Sequence, residues 1–173
     1  MTDLPASIAA LFDEETAAPP PAGWYPLTYG AGFHQMLGPV YGGRRNGRIL
    51  IGFRCLKRHL NPLGICHGGV TASFCDYQGL CAQKELQYRS FLVPTVSLAI
   101  EYLAAIPYGA WVEGQGDMVS NAGNMAFSHF TGRVGTETVF QSRGVFMIRP
   151  IPDAVGLELL RNIEAGGIDA ASD

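Results

Sequence analysis

The sequence predicts an α+β fold in which one long helix packs against an antiparallel sheet. A helical run extends from about Gly68 to Tyr88. Two segments before it and four after it have the pattern of strands. The clearest is TVSLAIEYL at 95–103, where large apolar residues alternate with polar or small ones. One helix lying on such a sheet is a stable layered arrangement.

The remaining elements follow from turn and breaker residues. A short amphipathic helix is predicted over 3–14, and the stretch AAPPPAG ends it as a linker. A small helix is predicted over 154–164. The last four predicted strands are expected to form a meander. In chain order the predicted strands are 33–41, 48–56, 95–103, 111–119, 125–134 and 138–148.

Composition restricts the classes of function. Charged residues make up 16% of the 173 residues and the net charge is −3, which argues against a nucleic-acid-binding surface or a polybasic membrane anchor. No apolar run approaches the roughly 20 residues that a transmembrane helix requires. The acidic N-terminus lacks the basic region of a signal peptide. We therefore expect a cytoplasmic protein with no nucleic-acid or membrane partner.

The cysteines and histidines suggest no metal site. The four cysteines form no CxxC pair and the four histidines are scattered along the chain, so neither a metal nor a cofactor is expected. Buried free thiols are the expectation for all four cysteines. Cys66 precedes a histidine, but neighbours in a turn that enters a helix point in different directions. We expect Cys66 to pack as a small apolar residue, not to act as a nucleophile.

The stretch NPLGICHGGVTASFCD, at 61–76, combines signals of function. Gly68 and Gly69 open the predicted helix, where unpaired N–H groups can bind an oxyanion or a polarised carbonyl. The alternative is that the glycines only ease the tight transition from loop to helix. Asp76 lies later on a stripe of small residues, which leaves space beside the carboxylate for a ligand. The alternative for Asp76 is a solvent-facing acid.

Helix geometry separates these two groups. Gly68 and Asp76 are eight residues apart, which is about 12 Å along a helix, and they point roughly 80° apart. They cannot both contact one reacting atom within the same helix. If both act in catalysis, Gly68 of one subunit combines with Asp76 of another. This predicts a two-fold homodimer with paired composite sites.

The motif resembles that of the hotdog-fold acyl-CoA thioesterases of the phenylacetate-pathway type. The pattern Asn-x-x-Gly-x-x-His-Gly-Gly followed by Asp is matched position for position, and the resemblance runs from about Phe33 to Ile148. It implies a hotdog domain over 33–150, between an N-terminal lead-in (1–32) and a C-terminal tail (151–173). It also implies sheets that pair edge to edge in a homo-oligomer, a dimer or a dimer of dimers, with acyl-CoA at the interface.

The resemblance also assigns roles to residues. It implies that the Gly68 N–H polarises the thioester carbonyl, with Gly69 beside it. Asp76 is then the general base on water or the nucleophile. Asn61 and His67 shape the site, and Thr95 holds the attacking water; the alternative for Thr95 is an ordinary strand residue. Thioester hydrolysis needs these groups because negative charge develops on the carbonyl oxygen and water is a poor nucleophile.

One departure concerns coenzyme A. Relatives often carry a basic residue in the turn before the fifth strand, where this chain has SNAGN. A carrier-protein thioester would need fewer phosphate contacts than acyl-CoA. Two other functions on the same fold remain open: a non-catalytic acyl-CoA-binding protein and a hydratase or dehydratase. A pure binder has no need of a carboxylate such as Asp76 in the acyl channel.

Overall fold

The computed structural model describes residues 18–27, 32–85 and 91–150. The helices predicted over 3–14 and 154–164 lie outside these residues. The helices of the described part are α1 (Phe33–Leu37), α2 (Gly68–Asp76) and α3 (Gln78–Glu85), and a 3-10 turn covers Lys57–His59. The strands are β1 (Tyr25–Pro26), β2 (Val40–Arg45), β3 (Arg48–Arg54), β4 (Phe91–Leu92), β5 (Thr95–Tyr102), β6 (Trp111–Ala122), β7 (Met125–Val134), β8 (Glu137–Met147) and β9 (Arg149–Pro150).

Seven strands form one antiparallel sheet in the order β1-β2-β3-β6-β7-β8-β5, and β4 pairs with β9 separately. The turn between β2 and β3 contains Asn46 and Gly47, both with positive φ (51° and 76°). Such a turn matches the right-handed twist of the two strands and fixes their register. Only Asn46 and Gly47 separate the two strands, because Gly42–Arg45 belong to β2.

Two of the expectations about the strands are wrong. Residues 33–41 were expected to form one strand, but the chain forms α1 first and β2 begins only at Val40. The apolar residues Phe33, Met36 and Leu37 recur at helical spacing, which explains the helix. The last four strands do not form a simple meander either, because β5 pairs with β8 and β6 pairs with β3.

The crossing segment between β5 and β6 explains that order. Its residues hydrogen-bond to both sides of the sheet: the N–H of Leu103 donates to the Val139 carbonyl on β8, and the N–H of Cys55 after β3 donates to the Ala110 carbonyl. The segment therefore carries the chain from the β8 side to the β3 side. As a result, β5 is an edge strand, and among the described residues no strand pairs with its outer edge.

The predicted long helix is formed by α2 and α3, which meet at Tyr77. The buried side of α2 supplies Phe74 to the centre of the core. Its ring centroid lies 4.6 Å from that of Phe53, 5.6 Å from Phe130 and 6.0 Å from Phe140. These rings fix α2 against one face of the sheet. On the other side of α2, Gly69 and Asp76 are exposed, and Gly68, Ala72 and Ser73 are half-buried.

Glycines in the sheet make room for the rings. A Cβ on Gly114 would lie 2.1 Å from the Phe130 ring, and one on Gly132 would lie 2.0 Å from the Phe140 ring. Real Cβ atoms do not approach so closely, so each position requires glycine in this packing. The sheet glycines and the core phenylalanines are therefore complementary pairs.

A buried polar network holds the junction of α2 and α3. Gln78 is fully buried, and its Nε2 donates to the Cys75 carbonyl and to Ser142 Oγ, both at 2.9 Å. Ser128 Oγ donates to Gln78 Oε1 at 2.7 Å. Every polar group of this cluster has a partner, as burial demands. The network ties the helix junction, two residues after Asp76, to β7 and β8.

Candidate active site

The loop before α2 is organised by Asn61. Its Oδ1 accepts hydrogen bonds from the backbone N–H groups of Leu63 at 2.9 Å and Ile65 at 3.4 Å. Gly64 allows the turn, because its φ of +76° suits glycine. The Asn61 side-chain oxygen is thus occupied by the loop. Asn61 also lines a cavity at the start of α2.

His67 caps the N-terminus of α2. Its Nδ1 accepts a hydrogen bond from the Gly69 N–H at 2.8 Å, and its backbone N–H donates to the His59 carbonyl. A capping side chain satisfies one of the donors that a helix start leaves unpaired. The structure therefore places His67 where it orients the helix start and the two glycines.

The Gly68 N–H remains available at this helix start. Among the described residues, none accepts a hydrogen bond from it. A Cβ on Gly68 would lie 3.5 Å from the ring of Tyr102, an ordinary contact. Packing within the chain therefore does not by itself exclude a side chain here. The helix dipole adds partial positive charge at the same end of α2, so this N–H is suited to a developing oxyanion.

Asp76 lies at the opposite end of α2 and contacts Thr95. Thr95 Oγ1 donates to Asp76 Oδ1 at 2.5 Å, which leaves the second carboxylate oxygen free of this contact. Both side chains are exposed in the single chain. The single chain therefore shows the solvent-facing alternative for Asp76; Gly69 on the same stripe is also exposed, and Ala72 and Ser73 are half-buried.

Tyr102 was not recognised from the sequence as a site residue. Its hydroxyl donates to the Gly68 carbonyl at 3.0 Å, and its side chain is 56% exposed. Thr95 begins β5 and Tyr102 ends it, so this strand contacts the last and the first residue of α2. Tyr102 and Gly68 are 34 positions apart in the sequence, so no local pattern could have revealed the contact.

Two cavities flank the start of α2. The larger, of about 390 Å³, is lined mainly by uncharged residues of the loop and the crossing segment, together with Gly68 and Tyr102. The smaller, of about 280 Å³, lies between α1 and α2 and includes Arg58, His67 and the exposed Phe33 and Met36. Both open within reach of the glycine pair.

Tyr77 marks the junction beside Asp76. Its hydroxyl lies 2.7 Å from His34 Nδ1 on α1. Burial, and then the charge of Asp76, raises the pKa of Tyr77 well above its ordinary value. Tyr77 therefore remains a neutral phenol and does not compete with Asp76 as a base.

Most arginines near β2 and β3 are already paired. Arg45 makes a bidentate ion pair with Glu113, and Arg48 pairs with Asp117. These contacts neutralise their charge on the sheet. Arg133 is exposed and has no ion pair with a described residue. Within the described ranges, no group of three or more potential metal-ligating side chains occurs, and no helix is long and apolar enough to cross a membrane.

All four cysteines are free and buried, as expected. Cys66 nevertheless differs from Cys75. Burial raises the pKa of the Cys75 thiol to about 12. A hydrogen bond from Cys55 lowers the pKa of the Cys66 thiol despite its burial, and Thr71 contributes in the same direction. Cys66 also lines the larger cavity.

Comparison with known proteins agrees with this architecture. Residues 63–139 match the sequence model described as the thioesterase superfamily. No curated protein sequence matches the chain significantly. The matched segment contains Gly68, Gly69, Asp76 and Thr95.

Several solved structures share the fold. A thioesterase from Haemophilus influenzae aligns with a TM-score of 0.61 and 16% identity over 70% of this chain and 85% of its own. A hypothetical thioesterase from Streptococcus pneumoniae, solved with coenzyme A, aligns with a TM-score of 0.58 and 17% sequence identity. The alignment covers 65% of this chain and 91% of the S. pneumoniae chain. A Streptococcus mutans protein bound to acetyl-CoA aligns with a TM-score of 0.55 and 15% sequence identity, over 80% of this chain and 98% of its own. The fold is the hotdog fold, and the predicted fold class is confirmed.

Proposed function

We propose that the protein hydrolyses an acyl-CoA thioester to the free acid and coenzyme A. The observation that carries the proposal is the pair of groups at the two ends of α2. The Gly68 N–H has no acceptor among the described residues, and the Asp76 carboxylate is held by Thr95 at 2.5 Å. Both groups border the partly exposed, small-residue side of the helix, where a substrate and a second subunit can approach.

The site is composite in this proposal. Gly68 and Asp76 are the first and last residues of α2, and nine helical residues hold them too far apart for one reacting atom. A second copy that covers the exposed side of α2 brings its own Asp76 to the first copy's Gly68. The edge strand β5 supports this arrangement, because its outer edge and its exposed Val96 and Tyr102 are available for pairing with another chain.

The chemistry then uses water as the nucleophile. Asp76 accepts a proton from the water through the oxygen that Thr95 does not contact, and the water oxygen attacks the thioester carbon. The Gly68 N–H of the other subunit donates to the oxyanion that forms. The tetrahedral intermediate collapses, the C–S bond breaks, and the proton on Asp76 passes to the leaving thiolate. His67 and Asn61 hold the helix start and the loop in place.

Coenzyme A is proposed as the leaving group on two grounds. The S. pneumoniae and S. mutans neighbours were solved with coenzyme A and acetyl-CoA, and the phenylacetate-pathway motif is matched at each position from Asn61 to Gly69. Four free thiols are typical of a reducing compartment, so we also propose a cytoplasmic location.

Activity against a panel of acyl-CoAs, followed by release of the free thiol, tests the proposal. Asp76→Asn keeps the shape of the side chain but removes the base, and kcat should fall by about 10²-fold or more. The matched control is Asp117→Asn, which removes an exposed carboxylate paired with Arg48 and should keep wild-type turnover. Equal turnover of Asp76→Asn and wild type would refute the assignment of the base.

Subunit mixing tests the composite site separately. Gly68→Pro removes the N–H donor, and Asp76→Asn removes the base, so each homodimer should be inactive. A heterodimer retains one intact site with both groups, and mixed samples should recover part of the activity. Verified heterodimers without activity would refute a shared site, as would a protein that is active and monomeric by analytical ultracentrifugation.

A further inference from the structure

The larger cavity at the start of α2, of about 390 Å³, is open on one side and closed on the other. Thr71 from α2, Ile106 from the crossing segment and Val139 from β8 line it, and all three are buried. Tyr102 and Leu103 also line it, and more than half of each of these two side chains is exposed. The cavity therefore has a mouth that faces solvent and an inner end that is closed by the core.

Gly68 connects this cavity to the reaction. Among the described residues, Gly68 lines the larger cavity but not the smaller one, which His67 and Gly69 line instead. In the proposed function the Gly68 N–H donates to the thioester carbonyl. The acyl chain and the sulfur are both bonded to that carbonyl carbon, so one of them is positioned to enter the larger cavity.

The lining of the cavity decides which of the two enters. None of the described residues that line the larger cavity carries a charge, whereas Arg58 lines the smaller one. Two of the polar side chains of the larger cavity are already engaged: Asn61 Oδ1 accepts from two backbone N–H groups of its own loop, and the Tyr102 hydroxyl donates to the Gly68 carbonyl at 3.0 Å. The sulfur leads to the phosphates of coenzyme A, which require water or cations. A cavity with a closed, uncharged end suits the acyl chain instead.

We infer that the larger cavity is the acyl site, and that it takes an uncharged acyl group of medium length and rejects one that ends in a carboxylate. The inference rests on the proposed function for the position of the thioester at Gly68. An apolar cavity of about 150 Å³ is enough to hold benzene, so this larger cavity has room for a hexanoyl chain. A carboxylate at the end of that chain would lose its water at the closed end and find no cation there.

Two alanines of the crossing segment limit the length of chain that fits. Ala104 and Ala105 both line the cavity. Ala104 is half-buried and packs against the main core, and its N–H donates to the Val139 carbonyl at 3.1 Å. Ala105 is exposed and follows it directly. A larger side chain at either position takes up space that the acyl chain requires, so we assign these two residues as determinants of acyl specificity.

Binding of thioether analogues to the full-length protein tests the acyl site without turnover, because a thioether lacks the carbonyl that water attacks. Isothermal titration calorimetry compares S-methyl-CoA, S-hexyl-CoA and S-carboxypentyl-CoA, the last with as many carbons in its chain as the hexyl group. Each buried methylene raises affinity about fourfold, so S-hexyl-CoA should bind at least about tenfold more tightly than S-methyl-CoA even if part of the chain stays in water. S-carboxypentyl-CoA should bind at least about tenfold more weakly than S-hexyl-CoA.

Variants locate the site of this gain. Ala105→Phe should abolish the gain of S-hexyl-CoA over S-methyl-CoA and leave the affinity for S-methyl-CoA unchanged. Ala104→Leu provides a second test in case the phenylalanine ring turns toward solvent, and chemical denaturation checks that both variants fold. The matched control is Ala122→Phe, which changes an exposed alanine at the end of β6 that lines neither cavity and should keep the wild-type affinities. Equal affinity of the wild type for S-methyl-CoA and S-hexyl-CoA, or no binding of either, would overturn the inference. A gain that persists in both folded variants, or a carboxypentyl chain bound as tightly as hexyl, would overturn it as well.

Turnover separates this inference from the proposed function. With hexanoyl-CoA and adipoyl-CoA as substrates, kcat/KM should be at least about tenfold higher for hexanoyl-CoA, and Ala105→Phe should lower it for hexanoyl-CoA but not for acetyl-CoA. A folded wild type that binds S-hexyl-CoA selectively but releases no thiol from any acyl-CoA would refute the proposed function and leave the acyl site in place. An active enzyme whose thioether affinities do not depend on the chain would refute the acyl site and leave the proposed function in place.

Discussion

The hydrogen bond from Thr95 to Asp76 gives the sharpest test of how the carboxylate is positioned. Thr95→Val removes the hydroxyl that lies 2.5 Å from Asp76 Oδ1 and keeps the branched shape that suits the first residue of β5. The variant leaves Asp76 itself unchanged. Any change in catalysis therefore comes from the orientation and charge environment of the base.

The size of the effect follows from the bond and its surroundings. A hydrogen bond to a charged group contributes about 1.5–3 kcal/mol. Thr95 and Asp76 are both exposed in the single chain, so the lower end of that range applies. About 1.4 kcal/mol corresponds to about a tenfold change in rate. We therefore expect kcat to fall about tenfold, with little change in KM, because the contact orients the base and does not bind the acyl group.

Steady-state kinetics with one good acyl-CoA substrate measures this effect. Thr95→Ser retains a hydroxyl and should recover most of the lost kcat. Thr131→Val is the matched control, because Thr131 lies on β7 on the opposite face of the sheet from the core phenylalanines, and it should behave as wild type. Unchanged kcat in Thr95→Val, in a protein whose Asp76→Asn variant is inactive, would refute the positioning role. A loss of equal size in Thr95→Ser would point to a packing effect instead.

Three further predictions concern stability and thiol reactivity. Gly114→Ala forces a Cβ to 2.1 Å from the Phe130 ring, and chemical denaturation should show a loss of about 1–3 kcal/mol or more. Gln78→Leu leaves two buried serine hydroxyls without their glutamine partner and should cost about 1–3 kcal/mol in the same measurement; wild-type stability would contradict either argument. In native protein at mildly alkaline pH, iodoacetamide should label Cys66 well before Cys75. The reason is that the pKa of Cys66 is lowered, whereas the pKa of Cys75 is raised to about 12. Peptide mapping that shows Cys75 labelled first would contradict this prediction.

Local patterns predicted those parts of the fold that depend on neighbours in sequence. The predicted strand at 48–56 corresponds to β3, and that at 95–103 corresponds to β5, because alternation and turn residues are local signals. The helix start at Gly68 was predicted for the same reason. The order of the strands was not predicted, since the pairing of β5 with β8 depends on contacts between residues 38 to 51 positions apart.

The candidate site residues also divide into those that a local sequence pattern indicates and those that depend on long-range contacts. Gly68, Gly69 and Asp76 could be proposed as site residues because they share one short motif, and Thr95 because of the family resemblance; their roles stay predictions. Tyr102 was missed, since an alternating strand residue gives no sign that its hydroxyl reaches a helix carbonyl. The sequence left the exposure of Asp76 open, with a solvent-facing acid as the alternative, because a stripe of small residues does not show whether another surface covers it.

The two contacts of β5 have a consequence for a dimer with shared sites. Through Thr95 the strand supports the base of one site, and through Tyr102 it contacts the glycine that serves the other site. One rigid strand thus belongs to both sites at once. When substrate shifts one end of β5, the other end moves with it, so the two sites are not expected to fill independently, and saturation curves for such a dimer should deviate from a simple hyperbola.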